Sequence, residues 1–577
     1  MKKVFKFFIL LFILFISVTS VFPENRENGT LHSYTPSPLS LSRAYYEFIL
    51  GYEDELSGNW AGAIKHYNEV LRYDPRSTYV KTQLSYVYLR MGKMDDAIKF
   101  LEEAIKTDPE YIPSLMLLGQ IYSTQKKYNE AIEIYEKILR IDPSQNDVYL
   151  LLGVAYASQD RNEEAIKAFE SLLKISPDNV MAFYYLGSIY VDMKEYDRAI
   201  DYFKKVIDLK PNFEAAYFNL GLIYEIKENL QEAESFYKKA IELNPHNLRA
   251  KERLSQIYLN KKDVDKAIEE LKEILKQTPA NIDVHLRLGL IYIEEKNYEK
   301  AIEELRIVLG ARPNDLQARY YLGLILEEME KYEEAEEEFR KIILAEPKNI
   351  NAFLHLGFIY TKLKRYDDAV KVYEEVLTFE KGKPEIYNYL AHTLIEKKDY
   401  KKAEEVIMDG LKIFGEDADL NFNLAIVMEK TDRFNEMVTH LKKVIEIDPK
   451  HADALNYLGY SYADKGINLE EAYSLIKRAL DVKPESGYII DSLGWVYFKM
   501  GKYDEALKYL RKALEIVKDD PVLYEHLGDV YEAMGKYNDA IDFWNESLKF
   551  QDKEEGLKDR VEKKIESAKK RMVDSVK

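Results

Sequence analysis

The 577-residue sequence contains no cysteine, which excludes disulfide bonds, thiolate nucleophiles, thiolate metal sites and a lipid-modified N-terminal cysteine. Glycine (24 residues) and proline (17 residues) are sparse, as is typical of a mostly helical chain. An excess of basic residues is also missing, since the formal net charge is −18. Nucleic-acid affinity depends on neutralising phosphates, so we expect no nucleic-acid partner for a chain this acidic.

Motifs for catalysis and cofactor binding are lacking as well. The nine histidines are scattered without the spacing of helical metal ligands, and there is no H-E-x-x-H. The sequence has no phosphate-binding loop, no G-x-G-x-x-G after a strand and no G-x-S-x-G. Acidic runs such as residues 336–338 are typical of solvated helix faces. The sequence therefore predicts no catalytic residue, no metal ligand and no cofactor.

The N-terminus has the pattern of an export signal. Three lysines in the first six residues precede an apolar run that ends at Phe22, and small residues within it offer a cleavage site. The run is sixteen residues long, which is shorter than the ~20 residues of a membrane-spanning helix. We predict a signal peptide or an uncleaved N-terminal anchor in residues 1–22 and a polar Pro/Ser linker in residues 23–40. Either alternative exports the remaining chain to a bacterial periplasm or envelope.

From residue 41 to residue 550 the sequence repeats with a period of 34 residues. A small residue in the motif L-[GAS]-x-x-Y recurs at each step, and one inserted residue within 465–471 shifts the last two units. An alanine follows twelve residues later in nearly every unit, and a proline closes most units. The small residues are Gly51, Ser85, Gly119, Gly153, Gly187, Gly221, Ser255, Gly289, Gly323, Gly357, Ala391, Ala425, Gly459, Gly494 and Gly528.

The spacing predicts a pair of helices in each unit, because 34 residues hold two helices of about fourteen residues and two short turns. The small residue and the alanine allow the two helices to approach closely where they cross. The tyrosine three residues after the small residue fills the space towards the neighbouring unit, and the proline ends the second helix. After the last unit, an apolar stripe at helical spacing predicts a capping helix over residues 551–577.

These repeats resemble the tetratricopeptide repeat (TPR) family over residues 41–550. The resemblance implies an all-α fold, a right-handed α-solenoid of about fifteen helix-turn-helix units. It also implies that the first helix of each unit lines a concave groove, and that this groove binds protein or peptide partners.

Two positions on the first helix of each unit, three residues before and one residue after the small residue, are rich in aromatic and apolar side chains. They would suit an extended apolar peptide or a partner helix, or they would pack between neighbouring helices. A basic island also matches the latter half of the carboxylate clamp of some TPR proteins. It would receive a carboxylate or pair with nearby glutamates. The predicted groove residues are Tyr184, Phe218, Asn219, Leu222, Arg249, Arg253, Leu286, Arg287, Tyr320 and Phe358.

Residues 455–547 go beyond the generic repeat. The segments LGYSYADKG, IIDSLGWVYFKMGKYDEAL and DPVLYEHLGDVY, with the closing Trp544, are similar to a group of exported bacterial TPR proteins, often lipoproteins. Some of these are adaptors that hold periplasmic C-terminal-processing proteases beside cell-wall hydrolase substrates. The resemblance implies an envelope scaffold of that type, although this chain lacks the lipoprotein cysteine.

We therefore predict an exported, non-catalytic adaptor that binds protein partners in the envelope. The alternative is a structural subunit of a secretion, pilus or exopolysaccharide assembly machine, where TPR arrays are also common. An enzyme with an attached array, such as a glycosyltransferase, would need a catalytic domain for which the repeats leave no room. The partner's identity and the oligomeric state stay open.

Overall fold

The computed structural model describes residues 38–554 and 556–576, which form thirty-one α-helices and one short 3₁₀ helix without any strand. The predicted all-α solenoid of about fifteen helix pairs is confirmed. The predicted signal or anchor in residues 1–22 and residues 23–37 of the predicted linker lie outside the described residues. None of the helices in this part of the chain has the length and the apolar character that crossing a bilayer requires.

The first of two compact units ends at Asn281 and contains seven helical hairpins. In each hairpin the odd-numbered helix is helix A and the even-numbered one is helix B. The helices are α1 (Pro38–Leu56), α2 (Trp60–Tyr73), α3 (Thr78–Arg90), α4 (Met94–Thr107), α5 (Ile112–Thr124), α6 (Tyr128–Ile141), α7 (Asn146–Ala157), α8 (Asn162–Ile175), α9 (Val180–Asp192), α10 (Tyr196–Leu209), α11 (Glu214–Ile226), α12 (Leu230–Leu243), α13 (Leu248–Asn260) and α14 (Val264–Gln277).

The second unit begins at Ile282 and contains eight hairpins, a 3₁₀ turn at Gln551–Lys553 and a final helix. The helices are α15 (Ile282–Glu294), α16 (Tyr298–Ala311), α17 (Leu316–Glu328), α18 (Tyr332–Ala345), α19 (Ile350–Lys362), α20 (Tyr366–Phe379), α21 (Pro384–Glu396), α22 (Tyr400–Phe414), α23 (Ala418–Lys430), α24 (Phe434–Ile447), α25 (Ala452–Asp464), α26 (Leu469–Val482), α27 (Gly487–Lys499), α28 (Tyr503–Ile516), α29 (Pro521–Ala533), α30 (Tyr537–Leu548) and α31 (Leu557–Val576).

Two boundaries differ from the sequence-based ones. Helix α1 begins at Pro38, three residues before the predicted start of the array. A proline is tolerated there because the first turn of a helix has no internal partner for its N–H groups. The capping helix begins at Leu557 rather than at residue 551, because Gln551–Lys553 form a separate 3₁₀ turn.

The repeated side chains take the predicted places in the core. Ala199 on α10 is fully buried where α9 and α10 cross, and Phe203 and Val206 lie on the same buried face. Tyr360 on α19 is buried, and its hydroxyl donates to Glu336 at 2.9 Å, which joins it to the preceding repeat. The periodic residues therefore hold each hairpin together and attach it to its neighbour.

Candidate functional site

Arg249 and Phe218 of the predicted groove are in contact in the first unit. Phe218 on α11 is 8% exposed, and its ring lies 5.8 Å from that of Tyr237 on α12. The Arg249 guanidinium, from α13 of the next hairpin, lies over the Phe218 ring at 4.8 Å from its centroid. Arg249 is exposed and forms no ion pair with any described residue. It acts electrostatically on Glu214 without pairing with it, so its hydrogen-bond donors are open to an external carboxylate.

Arg253, one turn further along α13, is already paired. Its Nη1 donates to Glu225 Oε1 at 3.1 Å, while Glu225 Oε2 accepts the Tyr237 hydroxyl at 2.6 Å. Burial, followed by the hydrogen bond to Glu225, raises the pKa of Tyr237 well above its usual range, so the phenol stays protonated. Of the two alternatives for the basic island, local pairing with a glutamate describes Arg253 and does not describe Arg249.

Three other predicted groove residues of the first unit contact neighbouring side chains: Tyr184, Asn219 and Leu222. Asn219 Nδ2 donates to the Tyr184 hydroxyl at 3.4 Å, and the Tyr184 ring lies 5.1 Å from that of Phe213. Burial raises the pKa of Tyr184, and the Asn219 hydrogen bond partly offsets that effect. Leu222 packs against the buried cluster around Phe218. These side chains contribute shape and an apolar seam rather than charge.

The other four predicted groove residues belong to the second unit. Leu286 and Arg287 lie half-buried on α15, Tyr320 lies on α17 and Phe358 on α19. The Tyr320 hydroxyl is 3.2 Å from His355 Nε2, so it takes part in contacts between adjacent hairpins. The Lys362 ammonium lies over the Phe358 ring, 5.2 Å from the ring centroid. The ten predicted residues thus divide into a group of six in one unit and a group of four in the other.

A recurring glutamate was missed by the sequence analysis. It stands four residues after the small residue in five hairpins, and in three of them it pairs with a cation or histidine two helices further along the chain. Glu225 pairs with Arg253 at 3.1 Å, and Glu327 with His355 at 2.9 Å. The signal was present in the sequence as an acidic residue at one fixed position of the period. The five glutamates are Glu55, Glu225, Glu327, Glu429 and Glu532.

The residues that carry the resemblance in 455–547 form an internal polar network with the capping helix. Glu525 on α29 is buried and accepts hydrogen bonds from Arg560 at 2.8 Å and from Lys564 at 2.7 Å, both on α31. Burial raises the pKa of Glu525, but the two cations outweigh burial and hold this pKa below its ordinary value. Trp544 Nε1 donates to Asp529 Oδ1 at 3.0 Å. These side chains fasten α31 to the end of the array.

A buried histidine joins the same network. His526 Nδ1 lies 2.9 Å from Asp491 Oδ1, and its ring stacks on Trp495 with centroids 3.9 Å apart. Burial lowers the pKa of His526, but the neighbouring Asp491 carboxylate outweighs burial, so the pKa is raised overall. The Asp491 carboxylate therefore favours the protonated imidazole, whose ring stacks on the indole of Trp495.

The described residues were compared with the requirements of a metal site and of a ligand cavity. Within residues 38–554 and 556–576, no three His, Asp or Glu side chains are grouped so as to hold a metal ion. A cavity of about 370 Å³ in the second unit is lined by charged residues that neutralise each other. In it, Arg319 pairs with Glu338 at 2.5 Å and Arg306 with Glu334 at 3.1 Å.

Models of tetratricopeptide families match several segments of the chain. Models described as tetratricopeptide repeat match residues 180–213, 226–291 and 418–451, and one described as TPR repeat matches residues 494–535. The model of the Psidin N-terminal TPR repeats region matches residues 52–191 and 285–423.

The chain is similar to a curated bacterial relative and to solved structures. The TPR repeat-containing protein PA4667 of Pseudomonas aeruginosa is 35% identical over 118 residues, which span 20% of this chain and 20% of that relative. The crystal structure of MamA is 32% identical, with a TM-score of 0.28, over 29% of this chain and 97% of that one. A tetratricopeptide repeat protein from Parabacteroides merdae is 19% identical, with a TM-score of 0.33, over 44% of this chain and 99% of that one. On the repeat pattern, the helical hairpins and the family models, the chain belongs to the tetratricopeptide repeat family.

Proposed function

We propose that this chain is an exported scaffold that binds protein partners in the bacterial cell envelope without catalysis of its own. Tetratricopeptide repeat proteins mediate protein–protein interactions, which is the general function of the family. The observation that carries the proposal is Arg249, an exposed guanidinium that lies on Phe218 and has no ion-pair partner among the described residues.

The surroundings of Arg249 favour an acidic partner with an apolar side chain next to its carboxylate. A guanidinium binds a carboxylate through two parallel hydrogen bonds, and the Phe218 ring beneath it limits its motion. Leu222 and Tyr184 offer apolar surface along the same seam. A C-terminal carboxylate or an acidic turn of a partner protein meets both requirements.

Location and client are the more specific parts of the proposal. The charged start, apolar run and small residues of segment 1–22 support export to the periplasm or envelope. The similarity of residues 455–547 to exported TPR adaptors supports presentation of substrates to a periplasmic protease. The matching relative from Pseudomonas aeruginosa is bacterial, which agrees with that setting.

Affinity purification of the full-length protein from its own envelope fraction, with quantitative mass spectrometry, tests the proposal. Wild type is compared with Arg249→Gln and with Arg198→Gln, a matched loss of one exposed arginine on helix B α10. A periplasmic protease or cell-wall hydrolase that is retained by Arg198→Gln and lost from Arg249→Gln would support the adaptor. Recovery of pilus, secretion or polysaccharide-export subunits would make the chain a machine component. The same partners at the same abundance in all three samples would refute the Arg249 site.

A further inference from the structure

Hairpins one and six of the first unit contain the same local arrangement at an interval of five repeats. Glu55 on α1 accepts the Tyr67 hydroxyl at 2.6 Å, just as Glu225 on α11 accepts that of Tyr237 at 2.6 Å. Both tyrosines are fully buried at the crossing of helix A and helix B. The buried phenol orients the carboxylate in each case, so the two glutamates are directly comparable.

In hairpin six, two arginines from the next helix A complete the arrangement. Arg253 donates to the second carboxylate oxygen of Glu225 at 3.1 Å. Arg249 covers the Phe218 ring, with its guanidinium carbon 4.8 Å from the ring centroid. This hairpin therefore shows how cations fit a carboxylate and an aromatic ring on this scaffold.

In hairpin one, neither arginine is present. Gln83 stands where Arg253 stands five repeats later, and Tyr79 stands where Arg249 does. Among the residues that the structure describes, Glu55 consequently has no cationic partner, and Tyr67 is the one side chain that hydrogen-bonds to it. The carboxylate is oriented as in hairpin six, while α3 has no arginine at either of the two corresponding positions.

The Tyr79 side chain lies near Glu55 and belongs to a group of aromatic side chains on α1 and α3, of which the tyrosines are partly exposed to solvent. Phe48 lies between Tyr52 and Tyr79, with ring centroids 6.3 Å and 5.6 Å away. Tyr52 is 47% exposed, Tyr79 is 45% exposed and Tyr86 is 42% exposed. The π faces of such rings attract cations electrostatically.

Helix α1, which contains Glu55, is mostly acidic, whereas the charged residues of α3, Lys81 and Arg90, are basic. Helix α1 contains four acidic residues and a single basic one, Arg43. After burial, the largest effect, the nearby Glu55 carboxylate adds to the rise in the pKa of Tyr79. Glu55 therefore offers a negative charge and the nearby rings offer aromatic faces, which together are complementary to a guanidinium or an ammonium group.

We propose that Glu55, Phe48, Tyr52, Tyr79 and Tyr86 form a second binding site, which takes an arginine or lysine side chain from a basic segment of a partner protein. The cation pairs with Glu55 in the way that Arg253 pairs with Glu225, and its aliphatic stem lies across the tyrosine rings. This site has the opposite charge preference to Arg249 and does not depend on that site, so the two proposals stand or fall separately.

Fluorescence anisotropy with the full-length protein tests this site. The probe is a labelled peptide of alternating arginine and leucine, and the control probe is the same peptide with citrulline, a neutral isostere, in place of each arginine. We expect the arginine peptide to bind wild type and the citrulline peptide to bind at least tenfold more weakly, since charge-assisted hydrogen bonds are roughly twice as strong as neutral ones.

Two variants and a matched control test whether the arginine peptide binds at Glu55. Glu55→Gln keeps an oxygen for the Tyr67 hydroxyl but removes the charge, and is expected to weaken the arginine peptide about tenfold. Gln83→Arg supplies in the chain the arginine found at Arg253, and is expected to compete with the peptide to a similar extent. Glu225→Gln carries the same charge change far from hairpin one and is expected to alter the affinity less than about twofold.

The outcomes separate this site from general attraction to an acidic protein. Equal effects of Glu55→Gln and Glu225→Gln would overturn the proposal, because bulk charge would then explain the binding. Equal binding of the two peptides, or no binding of either, would overturn it as well. Circular dichroism of each variant confirms that the helical array is intact, so a lost signal reflects the site rather than unfolding.

Discussion

Gly221 and Tyr237 meet so closely where α11 and α12 cross that a Cβ at Gly221 would lie 2.6 Å from the Tyr237 ring. The same close approach recurs along the array. Every hairpin with an aromatic ring sixteen residues after the small position has glycine there. Where the small residue is serine or alanine, the residue sixteen positions later is aliphatic. The pairs are Ser85 and Leu101, Ser255 and Leu271, Ala391 and Ile407, and Ala425 and Leu441. The two positions therefore fill a single volume.

Replacing Gly221 by alanine should destabilise the first unit by up to about 2 kcal/mol in urea-induced unfolding. Overpacking costs roughly 1–3 kcal/mol, and the better helix propensity of alanine offsets about 1 kcal/mol of that cost. The double variant Gly221→Ala with Tyr237→Leu should be more stable than the sum of the two single changes implies, because leucine leaves room for the methyl group. Additive effects in this double-mutant cycle would contradict a shared volume.

The turn within each hairpin contains a residue in the left-handed region, seven residues after the small residue. Lys194 has φ = 62° there, and Gly501 has φ = 74°. Left-handed backbone costs a non-glycine residue about 1 kcal/mol, so Lys194→Gly should raise the free energy of unfolding by about that amount. Gly501→Lys should lower it by a similar amount. Urea titrations measure both changes, and a loss of stability in Lys194→Gly would show that the lysine has a role beyond its backbone.

The pairing of His526 with Asp491 should make the stability of the second unit depend on pH. The folded-state pKa of His526 is raised above its unfolded value of about 6.5. The pairing therefore contributes stability that is complete below pH ~6.5 and is lost as the pH rises through the folded-state pKa. The gap in unfolding free energy between wild type and His526→Gln should shrink as the pH rises from about 6.5 through the folded-state pKa.

The neighbours of His526 set the size of this effect, and an exposed histidine provides its control. Glu525 and Asp529 also act electrostatically on the imidazole, and Trp495 covers its face. His246→Gln, which changes an exposed histidine in the first unit, is the control for loss of an imidazole outside this network. A gap for His526→Gln that is constant with pH would mean that the histidine is buried neutral.

The capping helix α31 should detach when its anchor on α29 is neutralised. Glu525 is buried, while Arg560 is 41% and Lys564 30% exposed, so solvent screening limits the loss for Glu525→Gln to about 1–2 kcal/mol. Faster hydrogen exchange across Leu557–Val576 would report the detachment. Since the pKa of Glu525 is lowered, acid should act likewise, and the contribution should be lost as the pH falls through the folded-state value.

The control for this prediction lies on α31 itself. Glu562 is exposed, and Glu562→Gln removes one carboxylate without touching the α29 network. Its exchange should match wild type. If Glu525→Gln exchanged no faster than Glu562→Gln, apolar packing of Leu557 and Val561 alone would be holding the helix.

The helices and their pairing could be predicted because they depend on local spacing. The tyrosine at position 360 was assigned to the contact with the neighbouring hairpin, and its hydroxyl does bond to Glu336 of the preceding one. The exposure of the groove residues was harder to predict, because an aromatic ring on helix A can pack against a neighbouring helix and still have one face towards solvent. Phe218 is 8% exposed whereas Tyr52 is 47% exposed, although both occupy positions predicted to line the groove. That difference depends on the side chains of the next helix, which the period alone does not specify.

By itself, the sequence determined the period, the all-α architecture and the family, because 34-residue spacing, small crossing residues and closing prolines act within one or two helices. The tertiary structure decided which charged side chains form ion pairs and which do not. Arg253 is neutralised by Glu225 while Arg249, one turn away, is open, and Glu55 lacks the arginine that Glu225 has. The reason is physical: an ion pair requires two side chains from different hairpins to come within about 4 Å, and only stacking of the hairpins sets that distance.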